Sequence, residues 1–146
     1  MADDPDERWL ALACDLAELC PPSETAFSVG AVVVGPDGTE LARGFSRESD
    51  PSDHAEEAAL AKLASVPSGA TIYSSLEPCG ARKSRPRPCA ELIVAAGIRR
   101  VVFAWREPSL FVEGVGDEYL RAHEVEVVEL PSLSARARKP NAHLLD

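Results

Sequence analysis

The sequence predicts an α/β fold, a three-layer α-β-α sandwich around one five-stranded mixed sheet. Three observations carry that expectation. The hydropathy periods run in the order α-β-β-α-β-α-β-α-β along the chain. The first two strands are joined by the turn sequence Gly35-Pro36-Asp37-Gly38, which makes them a hairpin. From the third strand onward every strand is followed by a helix and then another strand, and such connections favour parallel, right-handed crossovers.

Each element has its own local reason. Trp9, Leu12, Ala13, Leu16 and Leu19 repeat at helical spacing until Pro21-Pro22 stops the pattern. Val29 to Val34 is an unbroken apolar run of strand length, and Thr39 to Phe45 returns after the turn. From Asp53 the pattern becomes helical through Ala55, Ala58, Ala59, Leu60, Ala61, Leu63 and Ala64, and Pro67-Ser68-Gly69 ends it. So much alanine suits a helix packed closely on a sheet. Ala70 to Leu76 reads as the third strand. A proline- and arginine-rich stretch, Pro78 to Pro88, precedes a helix over Cys89 to Ala96, with Gly97 as its C-terminal cap. Arg100 to Trp105 is the fourth strand, Asp117 to Ala122 a short helix, and Val125 to Leu130 the fifth strand. The polar, basic tail from Ser132 to Asp146 is expected as an irregular or short helical cover.

At 146 residues, 45% hydrophobic and 27% charged, the chain is expected to form one domain over residues 1–146. A domain of this size buries roughly 68–70% of the surface its unfolded chain exposes, enough for a core without disulfides. Twenty-four acidic residues against fifteen basic ones give a net charge of −9, which repels polyanions and argues against nucleic-acid binding. Met1 to Arg8 is acidic and no apolar run is long enough to span a bilayer, so a cytoplasmic protein without membrane contact is expected. Positive charge is nonetheless gathered locally in Arg82, Lys83, Arg85 and Arg87. The four cysteines fit free thiols or metal ligands better than disulfides in such a setting. Cys14 and Cys20 read as small semi-buried hydrophobes of the first helix.

Two segments carry the candidate chemistry. Asp53-His54-Ala55-Glu56 opens one helix, and Leu76-Glu77-Pro78-Cys79 through Arg87-Pro88-Cys89 bridges a strand to the next helix. His54, Cys79 and Cys89 together make a three-ligand set for Zn2+ that leaves a fourth position open to water, the arrangement of a catalytic site. Glu56, two residues from His54, can carry protons as general base and then acid if the metal sits end-on over the helix start. Singly, each residue also has a plainer role. His54 could be a surface histidine, Asp53 and Glu56 a capping box, and the cysteines core thiols. Asp53 is assigned to the cap. His123 and His143 lack partners at ligand spacing and stay outside the site.

At these residues the chain resembles the cytidine deaminase-like superfamily, and within it the pyrimidine deaminase domain of riboflavin biosynthesis. The pattern is carried by Val29-Gly30, His54-Ala55-Glu56, Ala70-Thr71-Ile72-Tyr73 leading into Leu76-Glu77-Pro78-Cys79, Pro88-Cys89-Ala90-Glu91-Leu92-Ile93, Ala96-Gly97-Ile98, and Glu107-Pro108 followed by Gly114 and Gly116. His-x-Glu followed by Pro-Cys is the signature of zinc deaminases. The resemblance runs from about Trp9 to Leu130 and implies a cytidine deaminase-like fold. It also implies zinc-dependent hydrolytic loss of ammonia from an aminopyrimidine nucleotide, in the riboflavin branch a diaminopyrimidinone carrying ribosylamino 5′-phosphate. Arg82, Arg85 and Arg87, beside Cys79, could clamp the phosphate or else form a solvated basic loop. Phe27-Ser28-Val29-Gly30-Ala31 is more similar to nucleoside cytidine deaminases, where the riboflavin pattern has Asn-Pro in place of Ala26-Phe27. Phe27 is therefore a candidate substrate contact, and a cytidine, CMP or dCMP deaminase is the alternative. The family further implies a homodimer, for which Leu110, Phe111 and Val112 could supply an apolar contact or else cover the substrate.

Overall fold

The computed structural model describes residues 5–78, 88–106 and 116–145. The chain enters through helix α1 (Pro5–Ala17) and forms the hairpin β1 (Gly30–Val34) and β2 (Glu40–Phe45). Then follow α2 (Ala55–Leu60), β3 (Thr71–Leu76), α3 (Cys89–Ala95), β4 (Arg100–Trp105), α4 (Gly116–Ala122) and β5 (Glu126–Glu129). A 3-10 turn at Pro131–Leu133, helix α5 (Ser134–Arg138) and a second 3-10 turn at Lys139–Leu144 close the described chain, so the tail is a short helical cover.

The sheet has the order β2-β1-β3-β4-β5. β1 pairs antiparallel with both β2 and β3, whereas β3–β4 and β4–β5 are parallel. The expected mixed sheet is therefore present. Its two faces are both apolar. Ala31, Val33, Ile72, Leu76, Val101, Phe103 and Val127 share a cluster with Ala55 and Ala59 of α2, Ala90 and Ile93 of α3 and Leu120 of α4. On the other face Val32, Val34, Tyr73, Val102 and Ala104 meet Leu10, Ala13, Cys14 and Leu16 of α1 and Ala137 of α5. Strand alternation sends successive side chains to opposite layers, which is how one apolar run feeds both.

Helix α2 is shorter than the alanine pattern predicts. It stops at Leu60, and the chain continues in i→i+3 turns, Lys62 N to Ala59 O at 3.2 Å and Leu63 N to Leu60 O at 3.1 Å. The Lys62 ammonium donates to Arg43 O at 2.6 Å and to Glu48 Oε2 at 2.8 Å, tying the helix end to β2. Close approach explains the alanines: a Cβ on Gly44 of β2 would lie 2.6 Å from Ala59 N and 2.7 Å from Ala55 O. Replacing Gly44 by Val therefore forces α2 off the sheet. The expected cost is about 1–3 kcal/mol from overpacking, read as a lower urea midpoint. Gly97, at φ 84°, occupies the left-handed position just past α3 that the sequence reserved for a cap.

Helix α1 is locked to the sheet by charge. Asp6 Oδ1 accepts from the Tyr73 hydroxyl at 2.6 Å and from Arg100 Nη1 at 2.9 Å, and Oδ2 accepts from Arg100 Nη2 at 2.6 Å. The Arg100 guanidinium holds the Asp6 carboxyl below its usual value of 3.8. A depressed carboxylate pKa stabilises the fold above the ordinary value and loses that contribution as pH falls through the folded one. Asp6→Asn is expected to cost about 1–3 kcal/mol at pH 7, with the deficit shrinking below about pH 4. Urea unfolding at pH 7 and 3.5 checks this; a deficit equal at both pH values would assign the loss to packing.

Candidate functional site

The site lies where α2 and α3 begin. His54 is the residue before α2, with extended backbone (φ −92°, ψ 157°), and Glu57 Oε1 accepts from its backbone N–H at 3.4 Å. The N-cap is thus His54 and its N3 partner is Glu57, not the expected pair Asp53 and Glu56. Asp53 serves the preceding loop instead: its Oδ2 accepts from Ser49 N at 3.1 Å and Asp50 N at 3.0 Å, and its carbonyl accepts from Arg47 N at 2.9 Å. That shift of one residue frees Glu56 from capping and points it inward.

Cys89 is the first residue of α3 and is fully buried. Its Sγ lies 3.3 Å from His54 Nδ1. Sequence separates the pair by 35 positions; the crossover through β3 brings them together. Two donors bound to one tetrahedral zinc at about 2.3 Å for sulfur and 2.0–2.1 Å for nitrogen stand about 3.5 Å apart, so this pair has the spacing of neighbouring ligands. Among the described residues no group of three His, Cys, Asp or Glu side chains is placed to hold a metal ion. Cys79, the third expected ligand, lies outside the described residues, as do Arg82, Arg85, Arg87 and the segment Leu110 to Val112.

Glu56 is 3% exposed. Its Oε2 lies 2.7 Å from the hydroxyl of Ser74 on β3. Glu77, also buried, accepts at Oε2 from Asp117 N at 3.0 Å, and its own N–H donates to Trp105 O at 2.8 Å. It thereby joins the end of β3, one residue before Pro78, to the start of α4. Arg106 completes this corner, donating to Asp117 Oδ2 at 2.7 Å and Glu129 Oε1 at 3.0 Å. Phe27 is 6% exposed and meets Trp105 edge-on, with ring centroids 5.3 Å apart. Arg47, at φ 59°, fixes the segment carrying Phe27. Its guanidinium donates to Pro21 O at 2.7 Å, Phe27 O at 3.1 Å and Ser28 Oγ at 2.7 Å.

Arg47 and Ser74 are neighbours of the candidate site that no motif marks, and Glu77 lies within a motif that gives it no role of its own. For Ser74 a signal was available, since a hydroxyl in the row Ile72, Ser74, Leu76 is out of place unless it meets a polar partner. The two remaining histidines contact backbone carbonyls on the surface. His123 Nδ1 sits 2.9 Å from Tyr119 O, and His143 Nε2 sits 2.8 Å from Ser23 O.

A family model described as the cytidine and deoxycytidylate deaminase zinc-binding region matches residues 3–105. The chain belongs to this deaminase family. Among curated relatives, the diaminohydroxyphosphoribosylamino-pyrimidine deaminase of Schizosaccharomyces pombe is 37% identical over 128 residues, which is 84% of this chain and 31% of that protein. RibD of Aquifex aeolicus is 37% identical over 126 residues, 84% of this chain and 34% of its own length. The chain spans about a third of both relatives. Among solved structures, RibD of Acinetobacter baumannii superposes with a TM-score of 0.83 at 33% identity, covering 97% of this chain and 39% of that one. The Aspergillus oryzae Rib2 deaminase, at 24% identity and TM-score 0.77 over 98% of this chain, shares the fold. The architecture is thus the cytidine deaminase-like one that the motifs imply. In this deaminase family member, His54, Glu56 and Cys89 all lie on the α2–α3 side of the sheet, while Cys14 is buried on the α1 side.

Proposed function

We propose that this chain is a zinc-dependent hydrolytic deaminase of an aminopyrimidine nucleotide, with the riboflavin-pathway diaminopyrimidinone ribosylamino 5′-phosphate as substrate. The observation that carries the reading is the 3.3 Å approach of Cys89 Sγ to His54 Nδ1 beside the buried carboxyl of Glu56. The names of the two curated relatives support the substrate. His54, Cys89 and, from the motif, Cys79 would hold the metal, all by donor types that suit Zn2+. The chemistry that bound zinc supplies is Lewis-acid activation of water near neutral pH.

The chain's own groups do the rest. Glu56 takes one proton from the attacking water and passes it to the pyrimidine ring nitrogen. It then takes the second from the hydroxyl left on the ring carbon and delivers it to the amine, which departs as ammonia while that carbon becomes a carbonyl. Burial in a water-poor site strengthens each of these hydrogen bonds. Phe27 and Trp105 would form an apolar wall for the ring, held in place by Arg47. Arg82, Arg85 and Arg87 would bind the 5′-phosphate through charge-assisted hydrogen bonds. Family likeness also supports a homodimer. Among the described residues no helix is long and apolar enough to cross a membrane.

Ammonia release from the zinc-loaded protein, offered the diaminopyrimidine nucleotide, cytidine, CMP and dCMP in turn, tests the assignment. Turnover confined to the diaminopyrimidine nucleotide is expected. Turnover of cytidine or dCMP alone would move the protein to the second reading, favoured by Phe27-Ser28-Val29-Gly30-Ala31. The phosphate clamp has its own signature. Arg85→Ala with Arg87→Ala is expected to raise KM for the phosphorylated substrate about 10-fold or more, the worth of one charge-assisted contact, and to leave the dephosphorylated analogue unaffected. Equal effects on both would remove the clamp.

A further inference from the structure

Alternation along β3 directs Ile72, Ser74 and Leu76 to the face where α2 and α3 pack. Ser74 is fully buried, and its Oγ lies 2.7 Å from two acceptors, Glu56 Oε2 and the carbonyl of Leu76. A glutamate has three side-chain torsions, and the last of them, which turns the carboxyl plane, is broad. Placement on α2 therefore brings the Glu56 carboxyl to the site, and hydrogen bonds to its oxygens fix that last torsion.

We infer that Ser74 is a positioning residue for catalysis, its hydroxyl setting the rotation of the Glu56 carboxyl group through Oε2. The inference rests on the reading of Glu56 as the proton carrier. Ser74 Oγ sits between Glu56 Oε2 and Leu76 O, 2.7 Å from each, so the hydroxyl that meets the carboxyl oxygen is itself anchored to the β3 backbone two residues further on. Misplacing a reacting group by about 1 Å can cost about 100-fold in rate, so the orientation of this carboxyl bears on turnover rather than on substrate affinity.

The test compares Ser74→Ala and Ser74→Thr in the zinc-loaded full chain, with Glu56→Gln as reference. Each protein is assayed for kcat and KM on whichever aminopyrimidine the parent turns over, for zinc per chain and for melting temperature, and each is crystallised. Ser74→Ala is expected to lose about 10- to 100-fold in kcat, with KM within about twofold of the parent, full zinc content, and the Glu56 carboxyl rotated or spread over several conformers. Ser74→Thr, which restores the hydroxyl, is expected to recover most of the loss and the parental Glu56 rotamer. The inference is overturned if Ser74→Ala keeps both kcat and the Glu56 rotamer. It is also overturned if Ser74→Thr is as impaired as Ser74→Ala, or if the lost activity tracks lost zinc. Should Glu56→Gln itself remain active, the reading of Glu56 fails instead, and the crystal structures still decide whether Ser74 orients that carboxyl.

Discussion

Glu56→Gln is expected to leave the protein folded and zinc-loaded while kcat falls by about 10²- to 10⁴-fold, the range for removing a positioned acid–base group. That loss is about 3–5 kcal/mol of transition-state stabilisation. The amide keeps the size of the carboxyl and an oxygen that can accept from Ser74, whose hydroxyl is 2.7 Å from Oε2. What it cannot do is take up and return a proton. The fold should tolerate the change because the backbone of α2 is capped by His54 and Glu57, not by Glu56. Metal analysis, a thermal melt and single-substrate kinetics on one preparation separate the outcomes. Loss of zinc or of folded protein would make Glu56 a structural residue, and unchanged kcat would end its role as proton carrier.

Cys89→Ser is expected to abolish both zinc retention and turnover. Serine is nearly isosteric, yet its hydroxyl does not ionise near neutral pH, so the anionic donor is lost where metal binding demands one. Zinc content after dialysis against a mild chelator should drop from about one per chain to a small fraction of that. Cys14→Ser supplies the control. Cys14 is buried on the opposite face of the sheet, where burial pushes its thiol up to about 11, so zinc content and kcat should stay at parental values. A parental zinc content in Cys89→Ser would refute the ligand assignment outright, and parallel zinc loss in Cys14→Ser would point to general destabilisation. The two cysteines thus distinguish a metal donor from a core thiol within one chain.

The site was legible in part because its chemistry is written in residue types. His54, Glu56 and Cys89 were each singled out from their motifs, and the structure places them on one side of the sheet, with His54 and Cys89 in contact. Less legible were groups whose roles depend on direction. Aspartate favours the cap position, which points to Asp53, but the loop Arg47 to Asp53 uses its carboxylate and carbonyl, and the cap passes to His54. The alanine pattern extends beyond Leu60 because alanine carries no stop signal, whereas helix α2 ends there and Lys62 binds back to β2. Ser74 carries no local signature of its role, because the carboxylate that explains it is 18 positions away.

The order of elements, the hairpin, the parallel crossovers and the residue types of the candidate site are all legible along the chain, because periodicity, turn chemistry and side-chain chemistry are properties of neighbouring residues. Three contacts come from the assembled fold alone: His54 meets Cys89, Glu56 is buried against Ser74, and Phe27 meets Trp105 edge-on. Those facts depend on which strands become neighbours and which face each residue takes. Such pairings are set by burying both faces of the sheet at once, a condition on the whole chain that no local stretch contains.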